Sequence, residues 1–188
     1  MKRIILTFII ALLVLPLTAQ KYMTRNGYIG FLSHTPLEDI KGDNNQVASV
    51  LDISTGGIVF QVLIKSFHFE KALMEEHFNE NYLESEKFPK STFNGKIMNL
   101  SGIDFSKNGT YDVIVEGDLT IHGVTNKVSA KGTIEVKPDG IYAGSKFNLV
   151  PEDYKIEIPG IVRNNIAKSM EITRSEERRV GKECRSRW

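Results

Sequence analysis

The chain has 188 residues, of which 41% are apolar and 25% are charged. This length suits one domain with a substantial core, and the composition excludes a disordered or collagen-like chain. Residues 20–173 hold 16 basic and 20 acidic side chains. An acidic body argues against a nucleic-acid-binding protein, because such proteins bind by neutralising phosphates.

The first nineteen residues, Met1–Ala19, have the pattern of a secretory signal peptide. Lys2 and Arg3 precede an apolar run of about 14 residues, and Ala19 is a suitable cleavage point. The run is shorter than the ~20 residues of a membrane span, although an uncleaved anchor is the alternative. We therefore predict a mature protein without an integral membrane segment, located in the periplasm or secreted.

Alternation of apolar and polar residues predicts eight β-strands. Seven have bounds set by their pattern, and the eighth follows Gly140 and contains Ala143 and Phe147. The seven are Asn26–Ser33, Val47–Ile53, Ile58–Ile64, Ser91–Met98, Thr110–Ile121, Val124–Val136 and Ile166–Thr173.

The clearest local pattern is a β-hairpin centred on His122-Gly123. Apolar residues take odd positions before this turn and even positions after it. A two-residue turn accounts for the change, because it keeps both apolar sets on one face. The predicted cross-strand pairs are Ile121 with Val124, Val115 with Ala130, Val113 with Gly132, Tyr111 with Ile134, Thr120 with Thr125 and Asp118 with Lys127.

Two further turns predict registers. Lys137-Pro138-Asp139-Gly140 has the proline and glycine of a tight turn and places Ile134 opposite Ala143. Ser54-Thr55-Gly56-Gly57 predicts Leu51 opposite Phe60 and Val47 opposite Ile64.

One helix is predicted over Phe69–Asn79. Phe69, Leu73, Met74 and Phe78 would share its apolar face. Such a helix could cover one mouth of a barrel.

Eight antiparallel strands in one domain favour an all-β fold, closed into a barrel rather than open as a sandwich. Several predicted inward positions hold small residues, which leave either room in the interior or space for sharp curvature. These positions are Gly95, Gly117, Ala130, Gly132 and Ala143.

Five segments carry a family pattern. The most specific is Gly117–Thr125, which reads GDLTIHGVT, and it is preceded by Glu76–Tyr82 and Phe88–Phe93. Ser33–Ile40 and Ile64–Phe67 fit the same pattern. From about residue 28 to residue 173, the chain resembles the YceI-like family.

The resemblance implies an eight-stranded, lipocalin-like barrel in the periplasm or secreted. It also implies a long amphiphilic ligand in the apolar interior, typically a polyisoprenoid such as a quinone. It implies no set of catalytic residues.

The last fifteen residues, Arg174–Trp188, differ from the rest of the chain. They hold five of the eight arginines, the only cysteine and the only tryptophan, without strand or helix periodicity. We interpret them as non-native sequence; a basic arm for anionic lipid is the alternative. The predicted organisation is a signal peptide at 1–19, a barrel domain at 20–173 and this tail at 174–188.

No residue pattern indicates catalysis, a metal or a cofactor. The four histidines form no metal-binding spacing, and no nucleophile elbow, P-loop or dinucleotide motif is present. Glu75, Glu76 and His77 are adjacent on a helix and therefore point in different directions. The sequence thus predicts a protein that is not an enzyme.

The predicted ligand site is the apolar interior itself. A buried methylene contributes about 0.8 kcal/mol, so ten or so could support ~μM affinity without a charged anchor. Two alternatives stay open, an enzyme that uses His77 or His122 at the barrel mouth and a structural module with a filled core; homodimerisation is also open. The predicted ligand-binding residues are Phe60, Val62, Phe67, Phe69, Met74, Phe78, Phe93, Val115, Leu119 and Phe147.

Overall fold

A computed structural model describes residues 21–176 of the chain. It contains nine strands and one α-helix, α1, at Ala72–His77, which continues into a π-helical turn at Phe78–Tyr82. The strands are β1 (Lys21–His34), β2 (Asp39–Asp52), β3 (Gly57–Leu63), β4 (His68–Phe69), β5 (Lys90–Ile97), β6 (Gly109–Ile121), β7 (Val124–Lys137), β8 (Gly140–Leu149) and β9 (Met170–Glu176).

Eight of the strands form a closed antiparallel barrel, which confirms the predicted fold class. The order around the barrel is β1-β9-β8-β7-β6-β5-β3-β2, and pairing of β1 with β2 closes the sheet. Within residues 21–176, the two-residue strand β4 pairs only with β2. No helix in residues 21–176 has the length and hydrophobicity needed to cross a bilayer.

The connections at the two ends of the barrel differ in length. One end, which we call the helix end, carries the β1–β2 turn, the β6–β7 turn, and the long segments 64–89 and 150–169. The opposite end, the far end, carries the β2–β3 and β7–β8 turns and the segment 98–108. Helix α1 therefore lies at the end of the barrel that has the longer connections and the more extensive cover.

The β6–β7 hairpin confirms the sequence prediction in every proposed pair, from Ile121 opposite Val124 to Tyr111 opposite Ile134. His122 and Gly123 have φ angles of 49° and 74°. Two successive positive φ angles are those of a type I′ turn, whose twist matches that of the flanking strands. The predicted pair of Ile134 with Ala143 is also present between β7 and β8.

Strand β2 begins at Asp39, eight residues before the predicted start at Val47. A bulge explains the missed half, because Asn44 and Val47 are both buried although their spacing breaks the period of two. The Asn44 side chain donates to the Leu63 carbonyl at 2.9 Å and accepts from the Gln46 N–H at 2.8 Å. A polar residue thus holds the irregularity that obscured the pattern.

The predicted β2–β3 register was wrong by two residues. Leu51 lies opposite Ile58 instead of Phe60, and Phe60 lies opposite Ser49; the same shift removes the predicted pairing of Val47 with Ile64. The Asp52 carboxylate accepts hydrogen bonds from the backbone N–H groups of the next turn. Because this interaction ends β2 at Asp52, the strands pair closer to the turn than the sequence suggests.

The bounds of the first and last strands also differ from the prediction. β1 begins five residues earlier than predicted, at Lys21, and β9 covers Met170–Glu176 instead of Ile166–Thr173. Ile166 is buried in the preceding loop. β9 takes in the first three residues of the predicted tail, whereas residues 1–20 and 177–188, and the predictions made for them, lie outside the described residues.

The predicted helix was too long at both ends. Phe69 belongs to β4 and pairs with Gly42, while Phe78 and Asn79 belong to the π-helical turn. Gly42 permits this arrangement, because a Cβ there would lie 2.5 Å from the Phe31 ring and 3.0 Å from the Phe69 ring. Leu73, predicted on the apolar face, is 60% exposed.

Candidate functional site

The barrel encloses a cavity of about 350 Å³ that opens towards the helix end. Its wall is almost entirely apolar, so it suits a hydrocarbon group. All ten residues predicted as ligand-binding line this cavity: Phe60, Val62, Phe67, Phe69, Met74, Phe78, Phe93, Val115, Leu119 and Phe147. Their assignment to a ligand stays a prediction.

Two stacked phenylalanines line the cavity between its helix end and the wall at Ile97 and Val113. The Phe60 and Phe93 rings, on neighbouring strands, lie 4.9 Å apart with an interplanar angle of 18°. A Cβ atom at Gly95 would lie 2.4 Å from the Phe93 ring, and one at Gly117 would lie 2.8 Å from it. These two glycines therefore form the flat wall against which the Phe93 ring packs. This packing explains why Gly95 and Gly117 are small more specifically than curvature or empty space does.

The same stack continues towards the opposite wall. β9 lies four strands from β5 in the eight-membered ring, which places it across the barrel. The Arg174 guanidinium on β9 lies 3.3 Å from the Phe60 ring centroid, and Arg174 is 5% exposed. Such a contact is a cation–π interaction, and Arg174 was predicted to belong to the non-native tail.

Four aromatic rings pack together at the helix end of the cavity. The ring centroid of Phe31 on β1 lies 5.7 Å from those of Phe69 and Phe78 and 5.9 Å from that of Phe67. The centroids of Phe78 and Phe67 are 5.2 Å apart. Segment 64–89 thus covers the barrel interior with aromatic side chains. Aromatic contacts of this kind stabilise the packing through their buried area and ring geometry instead of through fixed hydrogen bonds.

One carboxylate connects three segments at the mouth of the cavity. Glu38, in the β1–β2 turn, forms an ion pair with Lys71 at 2.9 Å and accepts a hydrogen bond from Asn165 at 3.3 Å. Lys71 immediately precedes α1, and Asn165 belongs to segment 150–169. The hydrogen bond from Lys71, followed by that from Asn165, lowers the pKa of Glu38. We call these three residues the mouth clamp.

Sequence reasoning missed the contribution of segment 150–169 to the cavity. Ile156, Ile158, Val162 and Ile166 from this segment line the wall. Ile156 and Ile158 alternate with charged residues in the sequence KIEI, and this short alternation was the available signal. Because the segment is not a strand, its side chains could not be assigned to the interior by period alone.

The two histidines considered for catalysis occupy different environments. His122 is 12% exposed; its Nε2 lies 2.7 Å from the Glu84 carboxylate and its Nδ1 lies 3.3 Å from the Tyr154 carbonyl oxygen. It joins the β6–β7 turn to both long segments and is absent from the cavity wall, whereas His77 lies at the mouth. Within residues 21–176, no three acidic, histidine or cysteine side chains cluster as metal ligands would.

Comparison with known proteins agrees with this architecture. The family model of the YceI-like domain matches residues 22–176. The chain belongs to the YceI-like family. No curated protein is detectably similar to it.

Solved structures of YceI-like and related proteins share the fold at low sequence identity. A polyisoprenoid-binding domain from Saccharophagus degradans is 11% identical, with a TM-score of 0.72 over 82% of this chain and 95% of that one. Burkholderia cenocepacia BcnA is 13% identical, with a TM-score of 0.66 over 79% and 94%. A Campylobacter jejuni YCEI protein is 19% identical, with a TM-score of 0.54 over 77% and 89%.

Proposed function

We propose that this YceI-like protein is a non-catalytic binding protein that holds the hydrocarbon chain of an isoprenoid or similar amphiphilic lipid. The observation that carries the proposal is the apolar cavity, which runs from the aromatic cover at the helix end, past the Phe60–Phe93 pair, to Ile97 and Ile134. The polyisoprenoid-binding domain from Saccharophagus degradans, which has the same fold, supports the choice of ligand class.

The energetics favour a hydrocarbon without requiring a charged anchor. Each methylene moved from water into the cavity contributes about 0.8 kcal/mol. Ten of them contribute about 8 kcal/mol, which corresponds to micromolar affinity before the cost of association, and about five more offset a cost of about 4 kcal/mol. We accordingly propose transport, storage or sequestration of the lipid, in the periplasm or after secretion, as the signal-like residues 1–19 suggest.

A filled core and a catalytic mouth are the other two functions that the sequence left open. A barrel filled by its own side chains would lack the 350 Å³ cavity. Among the described residues, His77 is the single histidine on the cavity wall, and that wall is otherwise almost entirely apolar. We therefore assign the mouth a role in ligand passage and not in chemistry.

Filling the cavity tests the proposal. Ala130 lines the wall, so Ala130→Phe would introduce an aromatic ring into it, whereas Ser129→Phe places the same ring on the exposed face of β7. We expect Ala130→Phe to weaken binding of a three-isoprene alcohol more than about tenfold, since losing contact with two methylenes already costs about 1.6 kcal/mol. Ser129→Phe should bind as the parent does. Equal binding by both variants, or none by the parent protein, would reject the proposal.

A further inference from the structure

We infer that the protein docks on the surface of a zwitterionic lipid bilayer through an apolar rim around the mouth of its barrel. The rim consists of three exposed aliphatic residues, Leu37, Leu73 and Ile161. Docking of this kind rests on the proposed function, because the bilayer is the lipid phase with which the cavity would exchange its ligand.

The rim residues are the most exposed large hydrophobic side chains in residues 21–176. Ile161 is 93% exposed, Leu37 is 69% exposed and Leu73 is 60% exposed. Single exposed apolar residues are ordinary on a protein surface. A group of them at one place indicates an interaction site instead.

Two of the rim residues are direct neighbours of residues in the cavity wall. Leu37 in the β1–β2 turn is followed by Glu38, which lines the cavity. Ile161 in segment 150–169 is followed by Val162, which also lines it. These two apolar side chains therefore lie where the cavity meets solvent.

The third rim residue borders the same opening. Leu73 lies on α1 one helical turn before His77, so the two side chains share a face of the helix. His77 lines the cavity and is exposed, which places Leu73 beside the mouth. The mouth clamp joins the three segments that carry the rim, because Glu38 contacts both Lys71 and Asn165. The rim therefore borders one opening from three segments.

The charges around the rim determine the kind of lipid surface. The connections at the helix end, residues 35–38, 64–89, 122–123 and 150–169, hold ten acidic and six basic side chains. An excess of carboxylates is repelled by the phosphates of an anionic bilayer. The ammonium group of phosphatidylethanolamine, in contrast, is a charge-assisted hydrogen-bond donor for carboxylates. The charge of this end thus complements a zwitterionic surface.

Docking at the rim gives a hydrocarbon ligand a path that avoids water. The cavity opens between the segments that carry the rim, so a rim inserted among lipid headgroups connects the apolar wall with the bilayer interior. A second copy of the chain would close the mouth instead. Fully burying one leucine or isoleucine strengthens association about tenfold or more, so three of them support a reversible attachment.

Vesicle flotation tests the inference on protein purified from its native compartment. The vesicles contain phosphatidylethanolamine and phosphatidylcholine. We expect a triple variant, Leu37→Ser, Leu73→Ser and Ile161→Ser combined, to bind them at least about tenfold more weakly than the parent, since burial of even one such side chain contributes that factor.

A double variant, Met23→Ser and Met98→Ser combined, is the matched control. These methionines are 56% and 57% exposed, but Met23 lies near the start of β1 and Met98 lies in segment 98–108, both towards the far end. The control should bind vesicles as the parent does.

The lipid composition of the vesicles tests the charge argument. When phosphatidylglycerol replaces part of the phosphatidylethanolamine, the difference in binding between parent and triple variant should shrink, and added salt should restore it because salt screens the repulsion. Residues 177–188 are common to every variant, so this difference reports the rim alone.

Ligand transfer provides a functional readout. A three-isoprene alcohol bound to the parent should pass to vesicles at a rate that rises with vesicle concentration, because transfer occurs in the docked state. The triple variant should transfer it at least about tenfold more slowly. It should bind the alcohol in solution as the parent does, since no rim residue lines the cavity.

The outcomes separate this inference from the proposed function. Equal vesicle binding by parent and triple variant, or a larger rim effect on anionic vesicles, would overturn the inference while leaving lipid binding intact. A dimer in solution that the triple variant abolishes would also overturn it, by assigning the rim to a second copy of the chain. Absence of alcohol binding by the parent in solution would overturn both.

Discussion

Asn44 is buried in the barrel wall, where it makes two hydrogen bonds that no aliphatic side chain could replace. It is 0% exposed, and its amide supports the bulge in β2 by contacting Leu63 and Gln46. Buried polar groups that lose their partners cost about 1–3 kcal/mol each. The side chain therefore stabilises the bulge at which the alternation of inward and outward residues along β2 shifts.

Replacing this amide should destabilise the fold. We expect Asn44→Ala to lower the free energy of unfolding by about 2 kcal/mol or more, because the Leu63 carbonyl and Gln46 N–H lose their partner. Asn45→Ala, at the exposed neighbouring position, should change it by less than about 0.5 kcal/mol. Urea denaturation of both variants measures the difference, and equal midpoints would show that the bulge does not depend on Asn44.

The mouth clamp should respond to pH through Glu38. Its pKa is lowered in the folded protein by Lys71 and Asn165, so the clamp is intact at neutral pH and is lost as pH falls through the lowered pKa. We expect release of a bound alcohol to accelerate a few-fold on acidification, and Glu38→Gln to release it faster already at neutral pH with less dependence on pH.

Glu86→Gln is the matched control for this experiment. Glu86 also pairs with a lysine, Lys65, which lowers its pKa, but neither residue lines the cavity. This variant should keep the release rate and pH dependence of the parent. Stopped-flow transfer of the alcohol to vesicles gives the rate, and identical pH profiles for both variants would contradict a role for the clamp.

At the scale of elements, the β6–β7 hairpin depends on its turn. Gly123 has a φ of 74°, and a Cβ there would lie 2.6 Å from the Phe88 ring. Phe88 also contacts the His122 ring, with centroids 4.5 Å apart. The turn is thus packed against segment 64–89, and it needs glycine for both its conformation and its space.

Gly123→Ala should therefore destabilise the protein by about 1–3 kcal/mol, from the positive φ and the displaced Phe88 ring. Gly102→Ala is a matched control in segment 98–108, because no atom lies within 4 Å of a Cβ built there. Thermal unfolding of both variants gives the comparison. A Gly123→Ala variant as stable as Gly102→Ala would mean that the turn adapts at no cost.

Regular pairing was predictable from the sequence, and irregular pairing was not. The β6–β7 register followed from alternation and turn length, since a slip of one residue would turn every apolar side chain outward. The first half of β2 was missed because the bulge at Asn44 reverses that alternation. The β2–β3 register failed because hydrogen bonds to the Asp52 side chain, and not hydrophobicity, determine where the strand ends.

At the scale of the whole molecule, the sequence predicts which side chains face inward but not how much space remains between them. Inward residues such as Val115 and Leu119 follow from strand period alone. The empty volume depends on ring placement across strands, as with Phe93 over Gly95 and Gly117. It also depends on segment 150–169, whose inward isoleucines do not belong to a strand and therefore show no regular period in the sequence.

Organic extraction followed by lipid mass spectrometry tests whether the barrel carries a lipid in its interior. The protein would be purified from its native compartment without detergent, and the extracted lipid would be quantified against protein. We expect one lipid per chain, with an isoprenoid or similar hydrocarbon portion, and much less lipid in Ala130→Phe. A barrel that yields no lipid and takes none up on titration would contradict this expectation.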